Sequence, residues 1–361
     1  MQQPLPSSLN VLLSVDNTAP SIEPIVGGLI HHTYRVAAGN QSTLLQSINT
    51  QIFSDPIGLI KNHQALYQHF RSPESPFSHP LAKPLAFPNG EWLYVDEFQQ
   101  TWRQTEFING SYTLSAVEDP NQAFALAAFF ARFTKYASTL DHSHWYIPLP
   151  HFHDLSFRYE QLEQAIQEDR AGQKNMYAQL IDDLRGRQHY VKAYGRIRQN
   201  PAFTWRMMHH DAKLSNVLID EKEHTWLCPI DLDTVMPGYF FSDLGDMIRS
   251  ICNGSGKEDS AAQQVQFRSD LFESLLDGYR SGMQSTLSSL ENQLLPIAGV
   301  WMTYMQCLRF TTDLLQGDLY YRIERRGQNA ERAENQLELL RQMENYLEQS
   351  GRGSLLAGEI V

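Results

Sequence analysis

Cysteine is scarce in this chain: three in 361 residues, Cys228, Cys252 and Cys307, with no two close together. That count leaves no disulfide framework and no thiolate zinc site to expect, and it fits a reducing, cytoplasmic setting. Basic charge is scarce too. Lys and Arg number 29 against 41 Asp and Glu, a formal net charge of −12, and no basic run offsets the acid. A surface of that sign repels nucleic acid and anionic membranes, so neither is expected as a partner. No apolar run approaches the ~20 residues of a membrane-spanning helix. Met1-Gln2-Gln3-Pro4 has no positive region leading into an apolar stretch, so no signal peptide is expected. Hydrophobic residues make up 42%, enough for a sizeable core. The length suggests roughly two domains at ~150 residues each.

The first 98 residues read as a small β-rich domain. Strands are expected over Ile22–Val26, Thr33–Val36 and Thr43–Gln46, separated by Gly27-Gly28 and by a Gly39-Asn40 turn. Asp55-Pro56 has the form of an N-cap followed by proline in the first turn, and its helix is expected to run to about Phe70. A Pro- and Ser-rich loop over 72–90 leads to another strand, Glu91–Phe98. From about residue 105 the pattern is mainly helical. Asp119-Pro120 caps a helix through Leu140 that is apolar on nearly every face and therefore expected to be buried. One or two amphipathic helices are expected over 155–198, and others near 262–281, 291–315 and 329–349. His151-Phe152-His153-Asp154 reads as a turn and cap, because no further metal-ligand spacing accompanies it. The division is a β-rich domain over 1–98 and a helical one over 99–361.

The chemistry is concentrated in His209-His210-Asp211-Ala212-Lys213-Leu214-Ser215-Asn216 and, 15 residues beyond that Asn, Asp231-Leu232-Asp233. H-x-D-x-x-x-x-N is the catalytic-loop pattern of kinases. Phosphoryl transfer needs one carboxylate to accept the proton of the attacking hydroxyl, and an Asn and a second Asp to hold magnesium on the nucleotide phosphates. Asp211 is the expected base, and Lys213 can reach the transferred phosphoryl group. Asn216 and Asp231 supply the oxygen ligands Mg²⁺ prefers. Strand alternation would put Asp233 on the same side as Asp231, in the metal shell or beside the phosphates. Val217–Ile219 and Thr225–Cys228, joined by a polar turn, form a hairpin that returns Asp231 toward the loop. Pro229 cannot donate to a strand ladder, so it belongs at an end or edge. His209 is expected to fix the loop, and Asp243 or Asp246 to brace it by hydrogen bonds, with Arg249 as an ion-pair partner. His209, His210 and Asp211 as a hydrolytic metal site would need further ligands that the spacing does not supply. Gly27-Gly28 is a candidate turn over the phosphates, because glycine lets the backbone approach closely. Thr33, Gln46 and Glu97 complete the expected nucleotide contacts.

These residues, with Asp231–Gly238, Asp243–Arg249, Leu44–Asn49, Leu308–Asp313 and Gly317–Tyr321, resemble the aminoglycoside phosphotransferase and choline kinase superfamily. Within it they are most similar to N-acetylhexosamine 1-kinases and related sugar kinases. The resemblance runs from about residue 22 to 323. It implies an α+β, two-lobed protein-kinase-like fold and phosphorylation by ATP with Mg²⁺. The implied acceptor is a small molecule, an amino sugar taken at its anomeric hydroxyl, with Arg309, Tyr320 and Asp313 at acceptor-contacting positions. A guanidinium and a phenol can both hydrogen-bond a sugar. Arg309 can alternatively pair with Asp313 at i,i+4. The chain departs from kinases of this type at one place. Their third strand carries a cation for the phosphates, whereas Thr43-Leu44-Leu45-Gln46-Ser47 has none. Lys61, Lys213 or an Arg elsewhere is then the candidate cation. Kinases of choline, homoserine or an aminoglycoside, and a nucleotide-binding pseudokinase, remain the alternatives. A protein kinase is not expected, since Asp231-Leu232-Asp233 replaces D-F-G and no A-P-E follows.

Overall fold

The computed structural model describes residues 6–14, 20–25, 30–38, 41–256 and 260–358. The Gly27-Gly28 and Gly39-Asn40 turns lie outside the described residues. The architecture is mixed α+β, with a small antiparallel sheet and a larger helical part. It divides into two compact units elsewhere than at residue 98. One comprises Met1–Leu114, Thr139–Pro150 and Ser215–Met236, and the other Ser115–Ser138, His151–Leu214 and Pro237–Val361.

The first unit begins with α1 (Ser7–Leu12) and three strands, β1 (Ser21–Ile25), β2 (His32–Ala38) and β3 (Gln41–Ile48). After α2 (Pro56–Phe70) come β4 (Pro84–Leu85), β5 (Tyr94–Val95) and β6 (Thr101–Glu106). The sheet order is β1-β2-β3-β6-β4, with β5 also on β6. Register places Gln46 of β3 opposite Thr33 on one side and Arg103 on the other. Leu45, Tyr34, Val36 and Trp102 form its core with Leu9 and Leu13. Cutting a fully buried Leu such as Leu45 back to Ala would cost about 2–5 kcal/mol. Asp55 caps α2 by accepting the Gly58 N–H at 2.9 Å. The expected strand Glu91–Phe98 is reduced to β5. Asp96 turns the chain there, accepting from Phe98 N, Gln100 N and Trp102 Nε1. The longer strand is β6, whose central residues are all buried, so it shows no alternation to read from sequence. The expected hairpin forms from β9 (Val217–Asp220) and β10 (Trp226–Pro229), with Pro229 last in its strand. It groups with the first unit because β7 (Ser111–Tyr112) pairs with β9.

The second unit is helical. Asp119 caps α3 (Pro120–Ala137), which is buried along most of its length and packs on α8 (Ser269–Met283). Gly282 permits that approach, since a Cβ there would lie 2.5 Å from the Ala131 Cβ. The segment 155–198 holds three helices, α4 (Leu155–Glu168), α5 (Ala178–Arg185) and α6 (Gln188–Ile197). A short strand, β8 (Arg206–Met208), leads into the Asp211 loop, and α7 (Phe241–Ile251) follows it. The single helix expected over 291–315 is two, α9 (Ser289–Leu294) and α10 (Ile297–Gln316). Pro296 lies between them and has no N–H to continue the ladder. α10 is the buried centre, packed by α4, α7 and α11 (Gln328–Gln349).

Candidate functional site

Asn216 and Asp231 meet in the first unit through the base of the hairpin. The Ile230 N–H donates to the Asn216 carbonyl at 2.9 Å, which fixes the residue beside Asp231 against Asn216. Asp231 is exposed and adopts a left-handed conformation, φ 60° and ψ 59°. Such strain in a non-glycine residue gathers at functional sites. A carboxylate and an amide both offer oxygen donors, the kind Mg²⁺ takes together with phosphate oxygens. The residues present therefore fit that ion.

Asp233 has a different setting from the one alternation suggested. Leu232–Thr234 is a 3-10 turn rather than strand, and the turn buries Asp233 while Asp231 stays exposed. Its two carboxylate oxygens accept from Arg103 Nη1 and Nη2, the latter at 2.7 Å, and His31 Nε2 donates at 2.8 Å. His31 Nδ1 accepts the Asn49 N–H at 3.1 Å, which leaves the proton on Nε2. Burial alone would raise the Asp233 carboxyl. The Arg103 charge and the hydrogen bonds from His31 and Arg103 outweigh it and hold the group well below the usual carboxylate range. Removing one member of a buried pair like this strands the other, at about 3–5 kcal/mol. Gln46 belongs to the same cluster: Arg103 Nε donates to its Oε1 at 3.0 Å, and its Nε2 donates to Thr33 Oγ1 at 3.2 Å. Burial, then the Arg103 charge, lowers the nearby His63 to about 4.

Glu97 is engaged elsewhere. It accepts the Ser7 N–H and the Ser7 and Ser8 hydroxyls at the start of α1, where unpaired helix N–H groups attract a carboxylate. The hydrogen bond from Ser8 is the largest influence holding its carboxyl down to about 2.

In the second unit, Asp211 follows a loop clamped from α7. Buried Asp243 accepts the His209 N–H at 2.9 Å on one oxygen and the His210 N–H at 2.7 Å on the other. Burial raises its carboxyl, against the His209 charge and these two backbone donors. His209 itself is buried edge-on between Phe130 and Phe133, a setting for a spacer rather than a metal ligand. His210 is left-handed, φ 64°, and its ring leaves no room for a Cβ at Gly238, which would lie 2.7 Å from His210 Cε1. Ser242 Oγ lies 2.6 Å from Nδ1 of both His153 and His210 and bridges the two rings. Lys213 Nζ donates to Asp211 Oδ2 at 2.8 Å. Both groups are partly exposed, so the pair orients the carboxylate but adds at most ~1 kcal/mol of stability. Asp246 pairs with Arg249 at 2.8 Å; burial raises its carboxyl, Arg249 opposes that and Asp211 adds to it.

The expected acceptor residues lie in the C-terminal half of α10 and in the turn that follows it. The Arg309 guanidinium sits 5.1 Å from the Phe152 ring centroid, 5.7 Å from Tyr320 and 5.5 Å from Tyr321. Its Nη1 donates to Gln306 Oε1 at 3.1 Å, in place of the alternative pairing with Asp313. Asp313 is buried and turned inward. It accepts the backbone N–H groups of Leu319, Tyr320 and Tyr321 and Asn329 Nδ2, and so shapes the turn that presents Tyr320. Arg158 adjoins the group, donating to the Phe152 carbonyl and Gln161. Desolvation, then the charge of Arg309, lowers Arg158 to about 10. Among the described residues neither Arg158 nor Arg309 has a carboxylate within ion-pair distance. Asp154 caps α4 by accepting the Phe157 N–H, in keeping with the turn-and-cap reading of 151–154.

Arg103 and His63 were not foreseen. Only the missing cation at Gln46-Ser47 gave a signal, and it signalled an absence rather than an address.

Residues 21–281 match the phosphotransferase enzyme family, abbreviated APH. Three solved structures illustrate the likeness of fold. A microcompartment-associated aminopropanol kinase is 16% identical over 96% of this chain and 97% of that one, with a TM-score of 0.57. An aminoglycoside phosphotransferase from Alicyclobacillus acidocaldarius is 13% identical over 97% and 98%, with a TM-score of 0.60. A choline kinase from Cryptosporidium parvum is 14% identical over 93% of each chain, with a TM-score of 0.54. The family match spans well over half of the chain and takes in Asp211, Asn216 and Asp231, and the chain belongs to the phosphotransferase enzyme family.

Proposed function

We propose that this phosphotransferase is an ATP- and Mg²⁺-dependent kinase of a small-molecule hydroxyl, with a sugar as acceptor. The observation that carries the reading is Asp211, paired with Lys213 at 2.8 Å on a loop whose two preceding amides are held by Asp243. MgATP supplies an activated γ-phosphoryl group, and catalysis by the protein then consists of positioning and charge stabilisation. Asp211 accepts the proton of the acceptor hydroxyl. Lys213 keeps that carboxylate oriented and brings a positive charge to the transferred group. Asn216 and Asp231 hold the metal, and Asp233 serves Arg103 rather than the ion.

The acceptor is an N-acetylhexosamine taken at its anomeric hydroxyl. Arg309 and Arg158, stacked among rings and with no carboxylate at ion-pair distance among the described residues, repel a cationic acceptor such as choline or an aminoglycoside. Aromatic faces and a guanidinium fork suit a neutral polyol with an acetamido oxygen. The deciding experiment is an ATP-consumption screen over N-acetylhexosamines, hexoses, choline, homoserine and aminoglycosides. Turnover confined to the cationic acceptors removes the sugar reading, and no turnover with nucleotide binding retained indicates a pseudokinase.

A further inference from the structure

Strand β3 brings no cation to the nucleotide half of the site, and two of the candidates for that charge are placed elsewhere. Lys61 is exposed on α2, and Lys213 pairs with Asp211. Arg103 is in a different position. It stands directly opposite Gln46 in the β3–β6 register, one residue before Ser47 on the strand that lacks the cation. Its guanidinium is held on two sides, by Gln46 Oε1 on Nε and by the Asp233 carboxylate on Nη1 and Nη2. The charge of Asp231, two residues before Asp233, also bears on it.

We propose that Arg103 is the phosphate-binding cation of this chain, supplied from β6 in place of β3 and aimed by Gln46 and Asp233. The inference rests on the nucleotide reading above. A guanidinium has five N–H donors. Gln46 and Asp233 engage one donor on each nitrogen, which leaves one each on Nη1 and Nη2 for phosphate oxygens, reached through the 4% of the side chain that is exposed. The fork against a carboxylate fixes the guanidinium plane, so little freedom is lost when a phosphate binds. This accounts for two acids in Asp231-Leu232-Asp233: the exposed one for the metal, the buried one for the arginine. It also accounts for Gln46, whose oxygen orients Arg103 while its amide is anchored on Thr33.

The test is calorimetry of the full chain with adenosine, AMP, ADP and ATP, without added metal. The double variant Arg103→Met with Asp233→Leu removes both charges and leaves no unpaired buried acid. It is expected to keep the adenosine affinity of the wild type and to lose roughly ten- to a hundredfold in ADP and ATP affinity. Arg103→Lys keeps the charge and loses the fork, so it should show a smaller loss confined to the same two ligands. Should the double variant melt at assay temperature, Arg103→Lys decides the matter alone. Unchanged ADP affinity in a folded variant overturns the proposal. Equal losses for adenosine and ADP overturn it too, because they would mark Arg103 as purely structural. A wild type that binds no nucleotide would instead defeat the kinase reading and this inference with it. Failure to turn over sugars leaves the measurement untouched.

Discussion

Asp243→Asn tests the loop that presents Asp211 without altering Asp211 itself. Each Asp243 oxygen accepts one backbone N–H, from His209 at 2.9 Å and His210 at 2.7 Å. An amide has only one acceptor oxygen. Its NH₂ must face one of the two N–H groups, donor against donor. The loss is a charge-assisted hydrogen bond, about 1.5–3 kcal/mol, and a buried N–H is left unpaired at about 1–3 kcal/mol. We expect a total near ~3 kcal/mol, or a melting temperature lower by roughly 6–12 °C at the 2–4 °C per kcal/mol of a domain this large. The loop can recover part of that only by moving. His210 is already left-handed and borders Asp211, so the movement passes directly to the base. A displacement near ~1 Å costs about a hundredfold in rate. Steady-state kinetics beside thermal melts read both effects. The KM for ATP should change little. Thr134→Val removes only the 3.3 Å contact to Asp243 and serves as the mild control. A lowered melting temperature with wild-type kcat would refute the claim that Asp243 acts through Asp211.

Three further outcomes are expected. Asp231→Ala should abolish the gain in nucleotide affinity that Mg²⁺ brings, and calorimetry with and without the metal would show an unchanged gain if the assignment were wrong. Arg309→Ala should lower kcat/KM for an N-acetylhexosamine by roughly ten- to a hundredfold, as for one lost hydrogen bond to a charged group, and leave the KM for ATP nearly unchanged; an effect confined to ATP would count against the acceptor site. His63, held down to about 4 by burial and Arg103, makes stability depend on pH. Below its unfolded value near ~6.5 the unfolded chain takes up a proton that the folded chain refuses. Its contribution is complete above that pH and falls by about 1.4 kcal/mol per unit as pH drops toward the folded value. Urea melts of His63→Gln should therefore show a shallower pH slope than the wild type over that window, and an identical slope would contradict it.

How much of this could be read in advance follows from the range of each interaction. Asp211, Lys213, Asn216 and Asp231 sit within two short segments, so the pattern on which their roles are proposed is local. Asp55-Pro56 and Asp119-Pro120 state their helix starts locally, and both helices begin there. The hairpin was readable because a polar turn separates two apolar runs. Arg103 was not readable, because its partners lie 57 and 130 residues away and β6, buried along its centre, has no alternation to announce a strand.

The acids show the same limit more sharply. Asp231, Asp233, Asp243 and Asp313 are alike as letters near a catalytic loop. The first is exposed. The second is consumed by an arginine, the third by two amides of the loop, and the last by the turn that bears Tyr320. What fixes each of the three buried acids is the set of donors that the fold brings to it. That is a property of distant backbone and side chains, so no local pattern carries it. The same reasoning gives the departure at Gln46-Ser47 its meaning. A cation missing from one strand is a loss of function only if no neighbouring strand can supply it, and the register of β3 with β6 puts an arginine beside the vacancy.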